Sequence, residues 1–385
     1  MYRLEPVSKA YNWGSRSFIH KLLSLSSDSP LAELWFGAHP QGPATASGHP
    51  LDELIASEPI TWLGKASSTN AGKLPYLLKI LAASEPLSIQ VHPSKAQAEA
   101  GFARENQLGI PLDASNRNYK DDNHKPELLM ALTPFYMLCG IRTYTEIVST
   151  FHRLEIDGYF KAFQPFAWQP NARTFLELFR EICISSHETI EGIFKKIETN
   201  NLEQDSPCAP LVAWCLRLRR FYPQDNMAIA PLLMNLLHLN PYTAVYLDAG
   251  IPHAYLEGAG VEIMASSDNV IRAGLTPKHI DQDELATVMN ASPYKPPIQQ
   301  MEINPNELIN FYVPVQDFQL SYFELTDTLP LPDISSPRIV LVLSGELSIQ
   351  SDTQELHISQ GQAVILPAIE QGIKMSGTGT GVIAS

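Results

Sequence analysis

The chain has 385 residues, 44% of them hydrophobic, with thirty prolines and a net charge of −14. That length exceeds one ordinary core and points to two or three domains, and the apolar content excludes a disordered chain. The acidic balance excludes nucleic acid and anionic membranes as partners, and leaves any phosphate ligand to a local cluster of Lys and Arg.

The opening residues, MYRLEPVSKAYNWGSRSF, lack the apolar core of a signal peptide, and no run approaches the ~20 apolar residues of a membrane span. The four cysteines, Cys139, Cys183, Cys208 and Cys215, form no CxxC pair and no disulfide framework, a usage that suits a reducing compartment. A soluble, cytoplasmic protein is expected. The prolines are spread along the chain, as many short strands joined by tight turns require.

Residues 1–145 mix strand-like runs with turns. LPYLLKILAASEPLSIQVHP holds two such runs, near 77–82 and 87–91, split by a Glu-Pro turn. Lys79 interrupts the first apolar run, where it either snorkels to a rim or donates to an anion. In the second run Ser88, Gln90 and His92 are two residues apart, so a strand projects all three from one face. A buried Gln beside a buried His needs partners. Pro93 can then take the first helical position, and SKAQAEAGFAREN has helical composition.

YKDDNHKPELLMAL, residues 119–132, reads as a loop entering a strand, because Pro126 excludes a helix interior. Alternation puts Lys125 and Glu127 on one face, ahead of Leu129 and Ala131, and His124 on the other. A buried face that begins with Lys and Glu requires a partner, a metal or an anion.

Residues 146–238 change character. EIVSTFHRLEI, TFLELFREICI, ETIEGIFKKIE and MAIAPLLMNLLHL carry apolar residues at three- and four-residue spacing and predict a helical insertion. Strand and turn signals return with TAVYLDAGIPHAYLEGAGVEIMASSDNVIRAGL. This stretch supplies His253 after an Asp-Ala-Gly turn, Glu262 and Met264 alternating on a strand, then Arg272 and Lys278.

From about residue 300 short strands alternate with Gly-rich turns, in the pattern of a small cupin-type jelly roll. Its only histidine is His357, so no metal site is expected there. The fold class expected is mainly β with a helical insertion: two cupin-like jelly-roll barrels, a bicupin, plus an α-helical domain. The division is 1–145 and 239–300 for the two parts of a catalytic cupin-like domain, 146–238 for the helical insertion and 301–385 for the C-terminal barrel.

Gln90, His92, Glu127 and His253 together offer two imidazoles, a carboxylate and an amide oxygen. This sulfur-free set suits zinc in an open catalytic site, while Mn, Fe or Ni also fit. Lys79, Ser88 and Lys125 can converge as donors to a phosphate. From the ligand set alone, an Fe(II) oxygenase and an inactive sugar-phosphate-binding bicupin also remain open.

The segments YNWGS (11–15), AELWFGAHPQGP (32–43), LPYLLKILAASEPLSIQVHP (74–93), GIPLDASNRNYKDDNHKPELLMALTPF (109–135) and IPHAYLEGAGVEIMASSDNVIRAGLTPKHID (251–281) together resemble the type I phosphomannose isomerases, a zinc-dependent family. The resemblance implies one Zn2+ per chain, held by Gln90, His92, Glu127 and His253. It implies a cytoplasmic enzyme of carbohydrate metabolism that interconverts mannose 6-phosphate and fructose 6-phosphate through a cis-enediol. Mannose donors for surface sugars would then lie downstream of one direction.

Arg272, Glu262, Lys125 and Tyr255 would fall at the catalytic centre, and Lys79, Ser88, Asp268 and Lys278 at substrate-binding positions. The general base stays open among Glu262, Lys125 and a metal-bound water, since Arg272 keeps its proton. The partner expected is the small sugar phosphate alone, with the protein a monomer. His124 is expected to orient its loop by hydrogen bonds without touching the metal. The family often carries Asp or Asn after the His-Pro pair, whereas Ser94 stands here and suits a helix cap.

Overall fold

The computed structural model describes residues 1–65, 72–200, 203 and 205–385. The described strands form two ten-stranded sheets in which every ladder is antiparallel. The first contains the strands of the C-terminal region, with Arg338–Gln350 paired to Lys374–Ala384 and Ala363–Leu366. It also takes in the first strand of the chain, Tyr2–Glu5, beside Ala363–Leu366.

The second sheet is built around the 13-residue strand His253–Ala265. Its C-terminal half pairs with Tyr76–Ala83 and Glu127–Ala131, and its N-terminal half with Phe135–Ile141 and Ile89–Val91. Hydrogen bonding among the described residues closes neither sheet into a barrel. The jelly-roll barrels expected from the strand pattern are open sheets here: Leu308–Asn310 and His49–Pro50 at the edges of the first do not pair with each other, nor do Val7–Lys9 and Met234–Leu239 at the edges of the second.

The period-2 pattern explains how the second sheet buries both faces. Leu78, Ile80, Val261 and Ile263 join Ile339, Leu341 and Val382 of the first sheet in a shared core. Leu81, Ala83, Leu129 and Ala131 point the other way, into a separate cluster with Met137, Cys139 and Tyr255. Tyr76–Ala83 is buried along its full length, so Lys79, 6% exposed, does not snorkel to the rim.

The helices Tyr144–Arg153, Phe163–Trp168, Ala172–Ile184, His187–Thr199 and Ala209–Phe221 pack together behind Ile89, Val91, Ile271 and Ala273. Thr143, Asn171 and Ser186 cap three of them through side-chain oxygens that accept from the first turn. The helical reading of MAIAPLLMNLLHL is wrong over its second half. Asn226–Leu232 is a 3-10 turn containing Pro231, and Met234–Leu239 is a strand paired with Phe135–Ile141. Proline ends the helical ladder, and the remaining residues find a sheet edge. Likewise Pro93 precedes the helix Lys95–Gln107 instead of opening it: Ser94 is the N-cap, in a capping box with Gln97.

Candidate metal centre and active site

Four strands set out the site as a row. Arg272 stands opposite Gln90, Gln90 opposite His253, and His253 opposite Cys139. Directly paired residues share a face, so Arg272, Gln90 and His253 project to one side. Ile89 and Val91 turn away into the helical core, as alternation about Gln90 requires; Ser88 and His92 flank this three-residue strand.

His92, Glu127 and His253 are all buried, and their ligating atoms lie within 4.8 Å of one another. Glu127 Oε1 is 3.3 Å from His92 Nε2, and Oε2 is 3.4 Å from His253 Nε2. His92 Nδ1 lies 2.7 Å from the carbonyl oxygen of Asn269, and His253 Nδ1 lies 2.9 Å from that of Ile251. A carbonyl only accepts, so each Nδ1 carries the proton and each Nε2 keeps a lone pair aimed at Glu127. His92 Nε2 is nonetheless left without a well-aligned hydrogen bond. Two lone pairs and a carboxylate facing each other are the donor set of a divalent cation, and the residues fit one.

The protonation states agree with that fit. Burial pushes His92 down to about 4 even though Glu127 pulls the other way. Burial alone would raise Glu127, but the Lys125 ammonium outweighs it and holds the carboxyl well below its usual range. Lys125 Nζ sits 3.0 Å from Glu127 Oε1. Gln90 Nε2 donates to Ser88 Oγ at 3.3 Å, which leaves the amide oxygen uncommitted among the described residues.

A second buried network adjoins the first. Lys79 Nζ donates to Glu262 Oε2 at 2.9 Å, and Tyr255 Oη donates to Glu262 Oε1 at 2.7 Å. Burial would lower Lys79, but Glu262 and then Glu33 override it and raise the ammonium above the ordinary lysine value. Burial and Glu262 together push the Tyr255 phenol well up. Lys79 therefore stays a cation and Tyr255 a donor.

Tyr255 and Glu262 are seven residues apart on one strand, ~23 Å if it were straight. Their side chains meet because the strand curls. Register shifts between Tyr255 and Glu257, and Gly258 takes φ +130° against Phe135. A bulge reverses the face on which later residues point, and only glycine takes that backbone readily.

Both networks border one cavity of about 100 Å³. Ser88, Gln90, Glu127 and His253 line it, as do Lys79, Lys125, Tyr255, Glu262 and Glu33. A larger cavity, about 530 Å³, is lined by Asp225, Cys183 and Ala273 and lies apart from these ligands.

Residues 1–144 match the family model described as phosphomannose isomerase type I, catalytic domain. Residues 307–385 match the one described as mannose-6-phosphate isomerase, cupin domain. The chain is 38% identical to mannose-6-phosphate isomerase of Escherichia coli (strain K12) over 390 residues, covering 98% of each. The chain belongs to the type I phosphomannose isomerase family.

Other members agree along the whole length. The rat mannose-6-phosphate isomerase is 32% identical, over 96% of this chain and 94% of that one. The apo crystal structure from Salmonella typhimurium superposes with a TM-score of 0.91 at 36% identity, over 100% of this chain and 98% of that one. A zinc-bound crystal structure of mannose 6-phosphate isomerase gives 0.91 at 35%, with the same coverage.

Four expected phosphomannose isomerase positions lie outside the cavity lining: His92, buried behind it against Glu127, and Asp268, Arg272 and Lys278. Asp268 is half-buried, accepts from Gln41 Nε2 at 2.9 Å and lies 3.4 Å from His39 Nε2. Burial would raise its carboxyl, but His39 and then Lys125 hold it lowered. Arg272 is half-buried with no carboxylate in contact among the described residues, and burial lowers its guanidinium. Lys278 is exposed in the turn after Ile271–Gly274.

His124 faces away, with Nε2 3.0 Å from both oxygens of Asp317. That contact ties the catalytic loop to the C-terminal region. Two residues were missed by reading the sequence. Asn269, fully buried, receives Lys120 N and donates to Asp121 and Asn123 carbonyls while its own carbonyl holds His92. Glu33 lines the cavity from the strand Glu33–Gly37. In the sequence Asn269 is one of four polar loop residues, and Glu33 an ordinary strand acid. Only their burial sets them apart.

Proposed function

We propose that this enzyme interconverts D-mannose 6-phosphate and D-fructose 6-phosphate, the activity its relatives are named for. The observation that carries the reading is the pair of oriented histidines facing Glu127 beside a cavity lined by Lys79, Lys125 and Ser88. The oxygenase and inactive-binder readings lose their ground with family membership and with all four ligand positions present.

His92, Glu127, His253 and the free amide oxygen of Gln90 would hold one zinc per chain. Zinc bound there supplies Lewis acidity toward the sugar's carbonyl and hydroxyl oxygens. The remaining work falls to side chains. In the forward direction a proton leaves C2, the C1 carbonyl oxygen gains one, and a cis-enediol forms. A proton then arrives at C1 while the O2 hydroxyl gives up its own, leaving the ketose.

We assign the carbon-to-carbon transfer to Glu262. Tyr255 and Lys79 fix its two oxygens, so the carboxylate is oriented before substrate arrives. Arg272 keeps its proton and faces the reacting end beside Gln90, where it stabilises the charge that grows on O1 and O2. Lys125, against Glu127, stands at the same end. Ser88 and the donors that Lys79 and Lys125 have left would take substrate and phosphate oxygens. Lys278 and Asp268 would shape the mouth.

The domain division proposed is two cupin-like sheet units, with a helical insertion from residue 146. Placing Met234–Leu239 in the catalytic sheet moves the end of that insertion from 238 to about 233. Among the described residues no helix is long and apolar enough to cross a membrane. The test is direct: purified protein with mannose 6-phosphate should yield fructose 6-phosphate in a coupled assay. Absence of product with metal supplied would reject the assignment.

A further inference from the structure

Three buried carboxylates line the cavity, and they are not equally satisfied. Glu127 has Lys125 and two histidines within 3.4 Å. Glu262 has Lys79 and Tyr255. Glu33, 7% exposed, has only the neutral indole of Trp35, whose Nε1–H donates to Oε2 at 2.8 Å. Among the described residues no cation contacts it and its Oε1 has no hydrogen bond; Lys79, the nearby ammonium, is committed to Glu262. A buried carboxylate with an open oxygen is costly unless a donor arrives to fill it.

The strand geometry fixes where that oxygen sits. Glu33 and Trp35 are two apart and share a face, and Trp35 pairs with Lys79 across the sheet. The indole holds one carboxylate oxygen in place, and Lys79 bounds the other side. The pocket thus presents Glu33 Oε1 as a rigid carboxylate acceptor with no cation of its own, on the strand beside Lys79.

A phosphate or a metal-bound oxyanion would be repelled by such a group. A neutral hydroxyl is not: it donates one hydrogen bond and gains a charge-assisted acceptor.

We propose that Glu33 is a specificity-determining residue that accepts a hydrogen bond from a hydroxyl of the substrate's sugar chain, separate from the groups that hold phosphate and metal. This deepens the sugar-phosphate reading above and rests on it. The consequence is a division of labour: cations read the phosphate, and Glu33 reads the polyol. A phosphorylated chain lacking that hydroxyl would be recognised at one end only.

The sign of the charge makes the test sharp. In Glu33→Gln the indole still requires an acceptor, so the amide oxygen takes Trp35 and the NH2 faces the cavity. An acceptor becomes a donor, and one negative charge disappears. Two competitive inhibitors of the zinc-loaded enzyme would be compared: sorbitol 6-phosphate, which has the hydroxylated chain, and inorganic phosphate, which does not. The expected result is a Ki for sorbitol 6-phosphate raised roughly ten-fold or more, with the Ki for phosphate unchanged or lowered.

If Glu33 acted only through its field, both inhibitors would bind more tightly in the variant; that outcome overturns the proposal, as does no change in either. Glu33→Asp, which withdraws the carboxylate by one methylene while keeping its charge, should raise only the sorbitol 6-phosphate Ki. It serves if the Gln variant does not fold. Failure of the wild-type protein to isomerise mannose 6-phosphate would instead reject the proposed function, so the two failures are distinct.

Discussion

Replacing Glu262 with Gln separates the second buried network from the metal centre. The wild-type carboxylate holds Lys79 at 2.9 Å and Tyr255 at 2.7 Å, all three side chains being almost fully buried. The amide keeps the shape but removes the charge, which leaves the Lys79 ammonium with no carboxylate in contact, only the more distant Glu33 and Glu127. Breaking a buried pair in this way costs about 3–5 kcal/mol, since the uncompensated charge remains. That corresponds to a fall of roughly 5 °C or more in melting temperature.

Lys79→Met in the same chain removes the stranded charge, so the double variant should melt above Glu262→Gln alone, a non-additive recovery. Catalysis should not recover with it. Turnover of mannose 6-phosphate should drop at least a hundred-fold in Glu262→Gln and stay low in the double variant. Zinc content by mass spectrometry should hold near wild type. Near-wild-type turnover in Glu262→Gln would refute the proton-transfer role. An unchanged melting temperature would refute the energetic reading of the pair.

Glu127→Gln should lose the metal, whereas His124→Ala should keep it and lose only stability through the Asp317 contact; metal loss confined to the His124 variant would reverse the assignment. Asn269→Ala removes the side chain that organises residues 120–123 around the carbonyl partner of His92. Metal affinity, measured by chelator competition, should fall about 10–100-fold, the usual effect of losing support for a ligand.

The pH dependence of the metal-free protein follows from His92. Its folded value is depressed to about 4, so between that pH and the unfolded value of ~6.5 the unfolded chain binds more protons. Stability should therefore be intact above ~6.5 and fall as pH drops toward 4, by about 3 kcal/mol in all. Denaturant midpoints equal at pH 7 and pH 4.5 would contradict it.

How much of this was legible in the sequence differs from one group to the next. Ser88, Gln90 and His92 could be placed on one face because strand alternation is strict, and Lys125 with Glu127 for the same reason. Lys79 was visible as an anomaly in an apolar run, but not its fate, because burial or snorkelling depends on Glu262, 183 residues away. The curl at Gly258 was hidden. Gly-Ala-Gly in a strand signals a bulge, yet only the partner strands reveal that it joins Tyr255 to Glu262.

The sequence pattern groups Tyr2–Glu5 with the strands that follow it, and the strand lies instead beside Ala363–Leu366. Local pattern carries no information about such a distant pairing. Met234–Leu239 was misread because apolar residues spaced for a helix also fit a half-buried edge strand.

One divalent metal among His92, Glu127 and His253 is what isomerisation of mannose 6-phosphate requires under the proposed function. The most direct measurement strips the purified protein with a chelator, returns zinc in substoichiometric steps and follows fructose 6-phosphate at each step. Turnover should vanish after stripping and return linearly, saturating at one zinc per chain. Turnover that survives complete metal removal, or zinc return that restores none of it, would rule out a metal-dependent isomerase.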